Sequence, residues 1–211
     1  MATKGGRSPG RRKAWSSSSS HKNDSVQEGR SLLRQSGCVL WLTGPSGSGK
    51  SMIANTLQKE LNAHRHLALV LDGDAVRKGL NCDLGFSPED RRENVRRVAE
   101  VAALLADAGL IAITALISPY QVDRDQARHR IGPHRYLEIY LDVPVDVCRR
   151  RDPKGLYAQA MEGKIAQFTG VSAPYEPPRN AELTLPTHEL TLDACVARIL
   201  VELDERKLVW T

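Results

Sequence analysis

Eight residues constrain this chain more than any others: Gly44-Pro-Ser-Gly-Ser-Gly-Lys50-Ser51, which fit the pattern G-x-x-x-x-G-K-[ST]. They follow a short apolar run, Cys38 to Thr43 (CVLWLT), and open a helical stretch from about Lys50 to Ala63. A strand buried on both faces, a glycine-rich turn and a helix, in that order, make a phosphate cradle. The glycines let consecutive backbone N–H groups turn inward on the anion, and the helix N-terminus adds positive potential. In such a turn Lys50 reaches the β- and γ-phosphates of a nucleoside triphosphate and Ser51 ligates Mg²⁺. Gly44, Pro45, Ser46, Gly47, Ser48, Gly49, Lys50 and Ser51 are therefore the candidate nucleotide-binding residues.

The pattern beyond the turn keeps alternating. Leu67 to Leu71 (LALVL) reads as a second buried strand, ending in Asp72-Gly73-Asp74. Ser87-Pro88-Glu89-Asp90 predicts a helix start, with a serine cap, proline at the first helical position and acids in the first turn. That helix runs to about Asp107 and stops at Gly109. Leu110 to Ile117 (LIAITALI) is a third strand; Ser118-Pro119 closes it and is placed to cap the next helix. Tyr136 to Leu141 is a fourth strand with a helix after Pro144, Ala181 to Leu185 a fifth strand, and Leu192 to Leu203 has helical spacing. Strands alternating with helices imply βαβ units, hence an α/β fold: a P-loop NTPase-type parallel β-sheet with helices on both faces. From about residue 149 to 179 the periodicity lapses among charges, glycines and prolines, and a mobile lid segment is expected there.

Length and charge narrow the function. The 211 residues suit one domain. The net charge of +5 is concentrated near the start, because residues 1 to 23 hold six basic residues and no acid, leaving 24 basic against 25 acidic in the rest. Residues 1–30 are thus expected to be a disordered, basic, Ser-rich tail, and residues 31–211 the domain. A nearly neutral body makes nucleic acid an unlikely partner. The most apolar stretch, Val98 to Ile117, is interrupted by Glu100, Asp107 and Gly109, so no membrane partner is expected either. Four scattered cysteines without a C-x-x-C pair suit a reduced, cytoplasmic chain.

The phosphate cradle does not name the acceptor. No guanine-reading Asn-Lys-x-Asp is present, and the third strand ends in Ile117-Ser118 rather than in an acid. Acids stand instead at the end of the second strand. This suits a small-molecule kinase in which one of Asp72 and Asp74 helps hold Mg²⁺ through water and the other accepts the proton of the attacking hydroxyl, although Asp72 could instead cap a turn. Arg77 follows by one helical turn. Arg91 and Asn94 share one face of the next helix, and Arg92 and Arg96 another. Arginines beside a kinase site suit an acceptor that already carries phosphate or sulfate, whereas Arg92 and Arg97 read equally well as a solvated face. Arg149, Arg150, Arg151 and Lys154 form a second basic cluster at the lid entrance.

In combination these motifs are specific. The chain resembles the adenylylsulfate (APS) kinases through TGPSGSGKS at Thr43 to Ser51, LDGDAVRKGLNCDLGFSPEDRRENVRR at Leu71 to Arg97, ADAGLIAITALISPYQVDR at Ala106 to Arg124, and RDPKGLYAQA with FTGVSAPYEPP between Arg151 and Pro178. The resemblance implies that ATP, with Mg²⁺, phosphorylates the 3′-hydroxyl of adenosine 5′-phosphosulfate in sulfate assimilation, and that the chain forms a homodimer. It implies Lys50, Asp74 and Ser118 as catalytic residues, Ser51 and Asp72 as metal ligands, and Arg77, Arg91 and Asn94 as contacts to the phosphosulfate and ribose. Phe86 and Phe168 would hold the adenine, and Ile117, Ser118 and Lys154 would complete the acceptor site. Ser118 matches a serine recorded in the family as a phosphoserine intermediate, a step that direct in-line transfer does not need. Pro45, Met52 and Cys82 depart from residues common in the family. The alternatives are another small-molecule P-loop kinase, or a nucleotide-binding regulatory module with a nucleic-acid-binding tail.

Overall fold

The computed structural model describes residues 33–165 and 167–210. The expectation for the basic tail falls on residues outside that range. Five strands, all parallel, form one sheet in the order β2-β3-β1-β4-β5: β1 (Cys38–Thr43), β2 (Ala68–Asp72), β3 (Ile111–Ala115), β4 (Tyr136–Asp142) and β5 (Leu183–Pro186). Between and after them run α1 (Lys50–Ala63), α2 (Gly73–Lys78), α3 (Pro88–Asp107), α4 (Gln121–Ile131), α5 (Val145–Arg151), α6 (Leu156–Met161) and α7 (Leu192–Glu205).

The centre of the sheet explains the unbroken apolar run of β1. Cys38, Leu40 and Leu42 point to a layer filled by Ile53, Leu57 and Leu61 of α1 and Ile199 and Leu203 of α7. Val39 and Trp41 point the other way, onto Val95, Val98 and Ala102 of α3 and Ala127 and Ile131 of α4. A strand covered on both faces has no polar side to show, so period two disappears from its sequence. In register, Leu40 lies between Ile113 of β3 and Leu137 of β4, which places the glycine-rich turn after β1 at the middle of the sheet's carboxyl edge. Ligands of open α/β sheets bind along that edge.

Helix α3 starts where its signals say. Ser87 Oγ accepts from Asp90 N at 3.1 Å, Pro88 occupies the first turn, and Glu89 and Asp90 complement the helix dipole. Other expectations are corrected. Strand β3 ends at Ala115, two residues early, and Ser118 does not cap α4: that position is Tyr120, with no side-chain cap, while Ser118 is turned into the protein at φ +39°. The stretch after β2 forms the six-residue helix α2, and Asp72 does cap it, its side chain accepting from Asp74 N. The 149–179 segment, expected to be a lid, is not irregular throughout. It carries α6 and a small core of its own, in which Tyr157, Ala160 and Phe168 pack with Val143 and Cys148.

Candidate active site

The cradle between β1 and α1 needs its glycines. Gly44 sits at φ +154°, and a Cβ there would lie 2.9 Å from Ser48 Oγ and 3.0 Å from the Leu141 carbonyl. Gly47, at φ +75°, passes the Cys148 carbonyl so closely that a Cβ would approach it to 3.1 Å. Side chains from later in the chain hold the loop from behind: Tyr157 OH donates to the Ser46 carbonyl at 3.0 Å, and Thr187 Oγ1 donates to the Ser48 carbonyl at 3.0 Å. Lys50 is only 8% exposed. Its ammonium spends all three protons on the loop itself, on Gly44 O (2.8 Å), Pro45 O (2.7 Å) and Ser48 Oγ (3.2 Å). Burial draws its pKa down to about 8, partly opposed by the nearby Cys148, Asp72 and Asp74.

The two carboxylates occupy different positions around the cradle. Ser51 Oγ donates to Asp72 Oδ2 at 2.6 Å, so the hydroxyl that opens α1 and the carboxylate that ends β2 form one oxygen pair. Such hard oxygens suit Mg²⁺, which keeps most of its waters and takes its remaining ligands from phosphate. Among the described residues no three His, Cys, Asp or Glu side chains cluster as a self-sufficient metal cage. Asp72 Oδ1 at the same time accepts from Asp74 N at 3.0 Å, so Asp72 is both cap and candidate ligand. Asp74 lies two residues on, in the first turn of α2, and forms an exposed ion pair with Lys154, which the lid brings in from 80 residues away.

Next to Asp74 stand the arginines. Arg77 donates to the Leu84 carbonyl (3.2 Å) and the Gly85 carbonyl (2.7 Å), and its guanidinium lies 4.5 Å from the centre of the Phe86 ring. Arg91 donates to the Phe86 carbonyl at 3.0 Å and to the Gln167 carbonyl of the lid at 2.8 Å. Burial lowers the pKa of both guanidinium groups. Asn94, on the same buried face, accepts from Asn81 Nδ2 at 2.9 Å. Phe86 is 56% exposed and borders an open cleft with Ser87, Lys164, Ile165 and Gln167. Phe168 is only 6% exposed and stands edge-on to Tyr157, at 4.9 Å between centroids, inside the lid's small core.

Not every basic residue converges. Arg92 pairs with Asp123, Arg96 with Glu93, and Arg97 with Asp83 and Glu93 on the outer face of α3. Arg149 turns to Asp146, and Arg151 donates to the Thr187 carbonyl at 2.7 Å. Of the cluster at the lid entrance, Lys154 is the member that meets a site carboxylate.

The Ile117–Ser118 corner is built by residues to which sequence reasoning assigned no role. Ser118, 3% exposed, accepts from Trp41 Nε1 at 3.1 Å and donates to Thr43 Oγ1 at 3.0 Å. The single proton of Thr43 goes to the Ile117 carbonyl at 2.8 Å, which leaves the Tyr175 hydroxyl, 3.0 Å away, to donate to Thr43. Burial pushes the Tyr175 phenol pKa up. Arg124, fully buried, donates to the Ser118 carbonyl at 2.7 Å and pairs at 2.7 Å with Glu138 of β4. Burial pushes the Glu138 carboxyl pKa up, against the pull of Arg124 and Arg128. A glutamate within the apolar run YLEIYL was the signal that a buried cation had to face it.

A parallel sheet with this strand order, a nucleotide cradle at its centre and a carboxylate beside it define a P-loop kinase. The family model Adenylylsulphate kinase matches residues 36–186. The adenylyl-sulfate kinase of Clostridium acetobutylicum is 49% identical over 183 residues, 87% of this chain and 91% of that protein. The adenylyl-sulfate kinase of Saccharomyces cerevisiae is 50% identical over 196 residues, 90% and 95% of the two chains. Among solved structures, the Mycobacterium tuberculosis APS kinase in complex with AMPPNP and APS superposes with a TM-score of 0.77 at 43% identity, covering 81% of this chain and 99% of that one. The chain belongs to the adenylylsulfate kinase family and is a kinase.

Proposed function

We propose that the protein transfers the γ-phosphoryl group of ATP to the 3′-hydroxyl of adenosine 5′-phosphosulfate, giving ADP and 3′-phosphoadenylylsulfate. The observation that carries this reading is the junction at Asp72–Asp74. Asp72 bonds Ser51 of the nucleotide cradle and Asp74 bonds Lys154 of the lid, so nucleotide side and acceptor side share three consecutive residues.

Residues Gly44 to Ser51 cradle the triphosphate through backbone N–H groups, and Lys50 exchanges its bonds to the loop carbonyls for phosphate oxygens. Ser51, with Asp72 directly or through water, would hold Mg²⁺, which would supply charge neutralisation at the phosphates. Asp74 accepts the proton of the acceptor hydroxyl, an exposed carboxylate whose partner Lys154 can turn to the phosphoryl group as the bond to ADP lengthens. Arg77, Arg91 and Asn94 bind the acceptor's phosphosulfate and ribose, and Phe86 stacks on its adenine. Phe168 acts from behind, fixing the lid wall of that pocket. The backbone of Ile117 and Ser118 lines the opposite wall. Ser118 serves as a positioning residue and not as a phosphoryl carrier, because its hydroxyl is buried and committed to Trp41 and Thr43.

In this reading residues 31–211 are the kinase domain with the lid at 149–179, acting as a cytoplasmic homodimer. An acceptor screen tests the function: with Mg·ATP, ADP release should depend on adenosine 5′-phosphosulfate and not on AMP or gluconate. Equal turnover with gluconate or AMP would favour the other small-molecule kinase reading.

A further inference from the structure

Arg124 has no role in the reading above, yet its side chain is 0% exposed and, beyond its pairing with Glu138, its hydrogen bonds go to two separate places. One N–H group donates to the Ser118 carbonyl at 2.7 Å. The other terminal nitrogen donates to the Glu176 carbonyl at 2.7 Å and to Gln121 Oε1 at 2.9 Å. Ser118 belongs to the acceptor corner, and Glu176 belongs to the point where the lid returns to the body.

That return point is fastened several times over. Glu176 N donates to the Pro119 carbonyl at 2.8 Å, and Gln121 N donates to Glu176 Oε2 at 2.7 Å. Tyr175 stacks on Tyr140, centroids 6.0 Å apart, and sends its hydroxyl to Thr43. The 5.8 Å approach of the Arg124 guanidinium to the Tyr175 ring closes the group. Burying a guanidinium is costly even when it is paired, and an apolar side chain of similar volume is often at least as stabilising. The planar fork is needed where two carbonyls must be held at a fixed separation. One of those carbonyls belongs to a residue under strain, since Ser118 is a non-glycine residue at φ +39°.

We propose that Arg124, with Tyr175, is a positioning clamp: it holds the strained Ile117–Ser118 corner and the C-terminal root of the lid as one rigid unit, and thereby sets the seat of the acceptor without touching it. The nucleotide cradle has fastenings of its own in Tyr157 and Thr187, and the clamp meets it at Thr43, the residue before Gly44. The clamp therefore acts chiefly on the acceptor. This rests on the acceptor-site reading given above.

Two variants test it. Arg124→Lys keeps the charge facing Glu138 but gives up the fork, and Tyr175→Phe removes one hydroxyl and keeps the ring. Each should raise KM for adenosine 5′-phosphosulfate, by about tenfold for Arg124→Lys, while KM for ATP stays within about twofold, because small misplacements of a reacting group are costly. The ligand-free variants, while folded, should also be cut by protease within residues 149–179 about tenfold faster, with cleavage outside that segment unchanged, as expected of a locally loosened segment. Parallel shifts in both KM values, or an unchanged acceptor KM and unchanged cleavage in the folded variants, would overturn the clamp. If Arg124→Lys does not fold, Tyr175→Phe decides by the same measurements. Absence of turnover by the wild-type protein would count against the proposed reaction instead, and the protease comparison would still decide whether the lid root is clamped.

Discussion

Lys50 and Asp74 are each held by a contact that substrate replaces in the proposed reaction. The three bonds from the Lys50 ammonium to Gly44, Pro45 and Ser48 close the cradle on itself, and Asp74 is paired with Lys154. Once these bonds pass to substrate, the loop around Lys50 and the helix start at Asp74 hold both groups close to the developing charge, and electrostatic stabilisation of that kind is where enzymes gain most. Lys50→Ala and Asp74→Asn are each expected to lose ~2.7–4 kcal/mol of transition-state stabilisation, read as the fall in kcat/KM. Near-normal turnover in either would show that its role is wrong. Ser118 calls for the opposite expectation. Its hydroxyl accepts from Trp41 and donates to Thr43 inside the protein, so Ser118→Ala should keep substantial activity, and wild-type protein incubated with γ-labelled ATP alone should carry no label on this serine. A folded Ser118→Ala protein that binds both substrates and turns over neither would restore the covalent route.

Among the elements, α3 shows how local chemistry and tertiary need coincide. Its serine cap, proline and acidic first turn make a start that is readable from four residues, and the same start sets Arg91 and Asn94 on the inner face with Val98. Ser87→Ala removes the side-chain acceptor for Asp90 N and should cost about 1 kcal/mol in urea unfolding. A loss below a few tenths would mean that the cap is not needed. The strands β1, β3 and β4 were equally readable, because continuous apolar runs between glycines and prolines admit few other readings. What sequence did not reveal were the shortest elements and those defined by contact at a distance. Helix α2, six residues on a local Asp72 cap, is too short for a periodic signal, and α6 lies in a segment rich in glycine and charge, where its small core with Cys148 and Phe168 forms only in three dimensions. The same holds in the site. The cradle was plain from its spacing, whereas the turn of Ser118 away from the α4 cap followed from Trp41 and Thr43, 77 and 75 residues away.

For the whole molecule, the charge balance and the sheet topology point to one kind of partner. The chain's excess of basic residues lies in its first 23 residues, and the remainder is close to neutral, so positive charge in the body acts locally, where Lys50, Arg77, Arg91 and Lys154 surround the junction of cradle and lid. Such an arrangement suits small anions seated one on each side of Asp72–Asp74. No helix among the described residues is long and apolar enough to cross a membrane. The position of the transferred phosphoryl group tests this most directly. Protein incubated with Mg·ATP and adenosine 5′-phosphosulfate, with products separated and examined by phosphorus NMR, should yield ADP and an equal amount of a nucleotide that bears the new phosphate on its 3′-oxygen and retains its sulfate. ATP consumed at the same rate without acceptor, or phosphate delivered to any other oxygen, would overturn it.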